Sequence, residues 1–352
     1  MEATAGKPIR CRAAVCRKAG EPLVIEEITV APPMPREVRI KVICTSLCHS
    51  DVTFWLMKDP PSIFPRIFGH EAIGVVESVG EDVKEVSEGD VVIPTFFSDC
   101  GECEDCRSPK SNLCSKLPFR VENPWMSRYD SSRFRDVNGE VIYHFLSVSS
   151  FSEYTAVDIA NVTKVDPSIP PNKACLVSCG IATAAEGAIQ CGAARIIGVD
   201  INPDKFEIGN FFWSESVNSG KCGDKSCQVI NEMTGGGADY CFECVGRSSL
   251  VEQGWHCRKG WGKTIMVGVD KPGTKLSLNS FDVLHKGKSL VGSLYGGLKP
   301  KSDIPILLER YVNKELQLDE FVTHELKFEE IIKAFELLVE GKSLRCVMWV
   351  NK

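Results

Sequence analysis

No uninterrupted apolar run in this chain approaches the ~20 residues that a bilayer-spanning helix needs, so a membrane-spanning role is not expected. The chain opens on the polar run Met1 to Arg10 with no apolar segment behind it to direct secretion, which leads us to expect a reducing, cytoplasmic setting. Basic residues are not in excess. Forty-one Lys and Arg against 47 Asp and Glu give a net charge of −6, which offers no general attraction for nucleic acid or an anionic membrane. Internal repeats and low-complexity tracts are absent as well.

What is present is an ordinary globular composition in a chain of 352 residues, 43% hydrophobic and 25% charged, long enough for two domains of roughly 100–200 residues each. Seventeen cysteines are many and cannot all pair, so in a reducing compartment they are read as free, metal-bound or catalytic.

From Arg10 to Val92, short β-rich runs such as Val38 to Ile43 and Gly74 to Gly80 alternate with turn signals, which predicts a barrel-like β domain. Residues Asp99 to Asn138 show little periodicity and are read as a surface lobe that needs a staple. Near Lys173 the pattern turns to alternating helix and strand. Arg195 to Asp200, Tyr240 to Val245, Lys263 to Val269 and Ser289 to Leu294 are spaced like parallel strands of a wound sheet. Phe328 to Leu338 reads as an amphipathic helix, followed by a strand over Cys346 to Val350.

Cys100, Cys103, Cys106 and Cys114 set four thiols at short spacings inside that lobe. Four thiolates close a tetrahedral zinc shell and leave no open position, so this is read as a structural zinc site; free cysteines or an iron–sulfur cluster are the alternatives. Cys48, His70 and Cys179 are scattered, and each alone is more simply read as packing. Together they offer two thiolates and an imidazole, a set that leaves a fourth tetrahedral position for water or a substrate oxygen.

The phrases Thr45 to Asp51, Phe64 to Glu71, the Cys100 lobe, Ile196 to Asp200 and Gly297 to Lys301 resemble the zinc-dependent, medium-chain alcohol dehydrogenases, in particular their plant alcohol dehydrogenase-like branch. The resemblance implies a GroES-like catalytic domain over residues 1–178 with a structural-zinc lobe at 96–116. It implies a Rossmann-type nucleotide domain over 179–317 and a return to the first domain over 318–352. It implies two zincs per subunit, catalytic at Cys48, His70 and Cys179 and structural in the lobe. The implied reaction converts an alcohol and NAD to an aldehyde or ketone and NADH, by hydride transfer from a zinc-bound alkoxide.

In that frame Ser50 takes the alcohol proton, and Asp51 orients His70 as the carboxylate partner of a metal-bound imidazole, with Glu71 nearby. Thr53 stands where some members carry a histidine that extends the proton relay. Asp200 matches the ribose-binding acid and favours NAD over NADP. His49, Lys205 and Arg345 match positions that meet ribose or pyrophosphate, and Val245, Val267, Gly268, Val269 and Tyr295 match positions along the cofactor path. Trp55, Leu56 and Met57 are read either as core or as lining of an alcohol pocket. The resemblance also implies a homodimer, through strands near Ser289 to Gly296.

One feature of the family is missing. The chain has no G-x-G-x-x-G, and Gly235-Gly236-Gly237 and Gly260-Trp261-Gly262 lack its spacing. Against the family pattern roughly 25–30 residues, most of a βαβ unit, are absent near 183/184, taking with them the first strand and the pyrophosphate loop. The expectation is that Pro171 to Gly192 forms one fused helix, and that the sheet either re-pairs or fails. The alternative to an active enzyme is a silent zinc-binding splice or gene-model variant, impaired in NAD binding and retaining at most a dimerisation role. A nucleic-acid-binding zinc protein is disfavoured by the acidic balance.

Overall fold

The computed structural model describes residues 4, 6–59, 62–126, 128–180, 192–210 and 213–350. The chain divides into two compact units, Met1–Ile181 with Leu298–Lys352, and Ala182–Gly297.

In the first unit the strands run β1 (Ile9–Cys16), β2 (Val24–Val30), β3 (Glu37–Leu47), β4 (Arg66–Ile67), β5 (Glu71–Val79), β6 (Val91–Pro94), β7 (Phe134–Asp136), β8 (Val141–Ile142), β9 (Tyr154–Asp158) and β10 (Val162–Lys164). The second unit holds β11 (Ile197–Asp200), β12 (Glu215–Asn218), β13 (Ala238–Glu243), β14 (Arg258–Met266) and β15 (Ser289–Gly292); β16 (Val322–Lys327) and β17 (Arg345–Trp349) return to the first.

The first unit is the expected β domain. One sheet has the order β4-β1-β2-β7-β8, and the other runs β10-β6-β5-β3-β17-β16 with β9 also on β3. β1 shows why: Arg10 and Arg12 face solvent while Ile9, Cys11 and Ala13 to Cys16 are buried, the alternation of a half-buried strand passing into the core. The helix Ile331–Val339 covers that core with Ile331, Ala334, Phe335 and Leu338, spaced for one face. Phe335 meets Trp55 edge-on at 5.3 Å. Trp55 and Met57 pack on the core, whereas Leu56 is exposed.

Two expectations differ from what is found. Residues 298–317 group with the first unit, because Lys299 Nζ donates to the carbonyls of Cys106 (2.5 Å) and Ser108 (2.7 Å) and the helix Pro300–Val312 packs on β10. The fused helix does not run on either. A helix over Pro171–Ala174 passes into a 3₁₀ turn over Cys175–Ser178 and ends at Cys179, whose φ of −151° and ψ of −76° are not helical. The remainder of that expected helix, 181–191, and the 183/184 junction lie outside the described residues.

In the second unit the strands are parallel, as expected, with β11 on β12 and β13-β14-β15 side by side, β13 and β14 shifting register between Ala238 and Tyr240. They form two sheets, not one. Among the described residues, β11 and β13 each keep one edge without a ladder partner, so the sheet has not re-paired across the position of the absent strand. A parallel sheet is ordinarily buried on both faces. Here Val199 (46%), Tyr240 (58%), Phe242 (40%) and Val291 (46%) are exposed, which marks a sheet short of cover.

Candidate metal centres

Cys48 ends β3's approach and precedes the helix His49–Leu56, whose first turn swings Asp51 back beneath it. Asp51 Oδ2 accepts from the Cys48 N–H (3.0 Å), while Oδ1 accepts from the Gly69 N–H (2.9 Å) and faces His70 Nδ1 (3.2 Å). One fully buried carboxylate thereby ties two ligand segments together. Gly69 has to be glycine: at φ +91° a Cβ would stand 2.5 Å from Phe151 and Ser150. His70 lies edge-on between Phe96 and Phe145, each at 5.8 Å.

Cys48, His70, Glu71 and Cys179 each bring a ligand atom within 4.8 Å of the others. The sulfurs form no disulfide, and His70 Nε2 is buried without a hydrogen-bond partner. Zinc holds nitrogen and sulfur at about 2.0–2.3 Å, which such a cage matches, and an orphaned buried imidazole nitrogen is costly without an ion. The donor set fits zinc. The cage groups perturb one another: a hydrogen bond from Cys179 holds the Cys48 thiol well below its ordinary value, while the Cys179 thiol is pushed up by the same bond and by burial. Burial pulls His70 down, but Asp51 and Cys48 carry it well above its usual range.

Glu71 is the added member of this cage. Burial raises its carboxyl to about 7 against the opposing charge of Arg345, and it accepts from the Gly180 N–H at 3.2 Å. Arg345, matched to a position that meets ribose or pyrophosphate, has its Nε 3.6 Å from Glu71 Oε2 and its guanidinium filling the space beside Gly180.

The second cluster is the lobe. Cys100, Cys103, Cys106 and Cys114 place their sulfurs within 4.8 Å of one another, with Cys100 and Cys106 3.9 Å apart. Backbone N–H groups of Cys103, Cys106 and Leu117 point at the sulfurs of Cys100, Cys103 and Cys114 at 3.3–3.4 Å, the arrangement that stabilises thiolates. The Ser115 hydroxyl, with the Cys106 and Ser115 N–H groups, brings Cys103 down to about 5 against burial, while burial raises Cys106 and Cys114. Four sulfurs and no fifth donor suit a closed zinc site.

Ser50 Oγ lies 3.9 Å from Cys48 Sγ, at the cage mouth, and His49 is exposed one residue before it. A small open cleft is lined by Phe96, Ser98, Phe119, Arg120, Leu146 and Ser147. Phe96 joins it to His70. No motif marked this lining beforehand; only an aromatic pair, Phe96-Phe97, just ahead of the cysteine lobe hinted at it.

In the second unit, Asp200 ends β11, Val245 follows β13, and Val267 to Val269 follow β14. All sit at the carboxyl edge of parallel strands, where such sheets bind ligands. Asp200 Oδ1 accepts from the Asn202 N–H (2.8 Å), and Oδ2 lies 3.8 Å from Lys205 Nζ. Gly268 backs onto the Gly246 N–H so closely that a Cβ would stand 2.0 Å away. Val245 is exposed and Tyr295 buried. Asp200 sets a carboxylate at this edge, whereas no glycine-rich strand-to-helix loop exists among the described residues.

Residues 34–167 match the alcohol dehydrogenase GroES-like domain and residues 180–313 the zinc-binding dehydrogenase domain. The chain is 64% identical to alcohol dehydrogenase-like 7 of Arabidopsis thaliana, covering 98% of this chain and 96% of that one. The alignment spans 377 positions against the 352 residues here, so at least 25 lie opposite gaps in this chain. Identity to the class-P alcohol dehydrogenase of the same plant is 44%, with 98% of each chain covered. Among solved structures, a zinc-binding alcohol dehydrogenase protein from Burkholderia ambifaria superposes with a TM-score of 0.87 at 28% identity, over 98% of this chain and 100% of that one. Benzyl alcohol dehydrogenase from Acinetobacter calcoaceticus gives 0.84 at 26%, over 97% and 100%. On the strength of these matches and of the two cysteine-bearing cages, the chain belongs to the zinc-dependent medium-chain alcohol dehydrogenases.

Proposed function

We propose that the chain is a two-zinc alcohol dehydrogenase that interconverts a small alcohol and its aldehyde or ketone with NAD as the nicotinamide partner. The observation that carries this reading is the convergence of Cys48, His70 and Cys179 around an orphaned His70 Nε2. Zinc bound there supplies Lewis acidity and lowers the pKa of a coordinated hydroxyl. Asp51 keeps the His70 ring in place by holding Nδ1. Ser50 Oγ, beside Cys48, accepts the proton of the substrate hydroxyl and passes it outward. Phe96, edge-on to His70, offers an apolar ring beside the cage for the body of the alcohol. Asp200 accepts from the ribose hydroxyls of NAD.

The unpaired edges of β11 and β13 favour a second reading, in which both zincs bind but NAD does not, leaving a silent chain whose remaining role is pairing with its own kind. Calorimetric titration of the zinc-loaded chain with NAD, with NADH absorbance followed over several primary alcohols, decides between them. NAD binding with turnover that falls about 10²–10⁴-fold in Ser50→Ala supports the first reading. Two zincs with neither binding nor turnover supports the second.

A further inference from the structure

We infer that Cys227 is a peroxide-reactive thiol with Cys257 as its resolving partner, an oxidation site in the second unit separate from both metal cages. Cys227 sits in the first turn of the helix Ser226–Thr234, and Cys257 follows the helix Ser248–His256. One atom joins them. The Gln253 carbonyl oxygen accepts from Cys227 Sγ at 3.0 Å and from the Cys257 N–H at 3.0 Å. The two side chains also hydrogen-bond each other, and both belong to a small apolar cluster with Val217 and Ile230. The shared acceptor and the shared apolar cluster set the two side chains side by side.

Their surroundings divide the roles. Cys227 is half-buried and open to a small oxidant, whereas Cys257 is 6% exposed. Two buried cations stand near. Lys288 Nζ donates to the Trp255 carbonyl, and Arg258 lies 4.5 Å over the Trp255 ring with Nε and Nη2 lacking hydrogen-bond partners. Neither cation has a carboxylate ion-pair partner among the described residues. The hydrogen bond from Cys257, against burial and with the charge of Lys288, holds the Cys227 thiol below its ordinary value. Its place at a helix N-terminus acts in the same direction. Cys257 is pushed far up by that same bond and by burial. Cys241, beneath Gly254, is pushed up to about 11 by burial and serves as the unreactive neighbour.

The chemistry balances with hydrogen peroxide as oxidant. The Cys227 thiolate attacks one peroxide oxygen, forming S–O as O–O breaks, and the departing hydroxide takes up a proton to leave as water. The Cys257 sulfur then attacks the Cys227 sulfenic sulfur, forming S–S as S–O breaks, and the departing hydroxide leaves with the Cys257 proton as a second water. Two thiols lose two electrons and one peroxide becomes two waters.

The test treats the zinc-loaded full chain with hydrogen peroxide, from equimolar to a few-fold excess. Free thiols are alkylated, peptides are mapped by mass spectrometry, and zinc release is followed with a chromogenic chelator. The expected result is a Cys227–Cys257 cross-linked peptide, reversed by dithiothreitol, at doses that release no zinc. In Cys257→Ser, Cys227 is expected to stop at a sulfenic acid trapped by dimedone; in Cys227→Ser, oxidation at Cys257 slows about tenfold or more. A Cys227–Cys241 link, oxidation of the zinc ligands before the pair, or dimedone labelling absent from Cys227 in Cys257→Ser overturns the assignment.

Discussion

Asp51 Oδ1 stands 3.2 Å from His70 Nδ1 inside a fully buried pocket, so the imidazole is fixed at one nitrogen and its other nitrogen is left for a metal. Asp51 also accepts from the Cys48 and Gly69 N–H groups, which makes it the knot between two ligand segments. Asp51→Asn should therefore weaken zinc at this cage about 10–100-fold while sparing the lobe zinc. Competition against a graded chelator reads both affinities; equal weakening of the two sites would contradict the role.

Glu37 and Arg133 form a buried pair in the first unit, with both carboxylate oxygens 2.7 Å from guanidinium nitrogens. Removing one partner strands the other charge. Glu37→Ala should cost about 3–5 kcal/mol in denaturant unfolding, and a loss below about 1 kcal/mol would show that the arginine finds another partner.

His144 is fully buried, its Nε2 accepts from the Arg133 N–H, and burial with the nearby Arg133 and Arg66 charges lowers it to about 3 from 6.5. The unfolded chain then takes up a proton that the folded chain refuses. Stability is full above pH 6.5 and is lost as pH falls toward 3, by about 2 kcal/mol at pH 5. The difference between the parent chain and His144→Asn, measured by denaturant titration from pH 7.5 to 5, isolates this contribution from the metal ligands. A pH-independent difference would contradict it.

The lobe was legible because its zinc grammar is local, four cysteines at short spacings; Cys48, His70 and Cys179 are scattered and were joined by residue type and by the family resemblance, and all seven sulfur and nitrogen donors meet as two clusters. The strands of the second unit were legible from apolar runs. The Glu71 to Arg345 approach was not, because those residues are far apart in sequence and are brought together only by β3 pairing with β5 on one side and β17 on the other. The break at Cys179 was missed because the helical pattern expected over Pro171 to Gly192 gives no sign that a ligand turn interrupts it. The division at 297/298 escaped notice since Lys299 owes its place to carbonyls of the lobe, which no periodicity encodes.

The sheet in two pieces has a thermal consequence. The small apolar cluster of Val217, Ile230 and Cys257 is slight beside the core of the first unit, and strand faces at Tyr240 and Phe242 are in water. The second unit should melt first, as a separate low-temperature transition in calorimetry, with amides of β11 and β13 exchanging before those of β3 and β5. A single cooperative transition with uniform protection would contradict this.

The most direct check on the account is the zinc content of the purified chain, set beside that of Cys48→Ser, Cys179→Ser and Cys103→Ser. The parent chain should hold two zincs and each variant one, with Cys48→Ser and Cys179→Ser emptying the same site and Cys103→Ser the other. Two zincs retained in Cys179→Ser, or fewer than one in the parent chain, would contradict it.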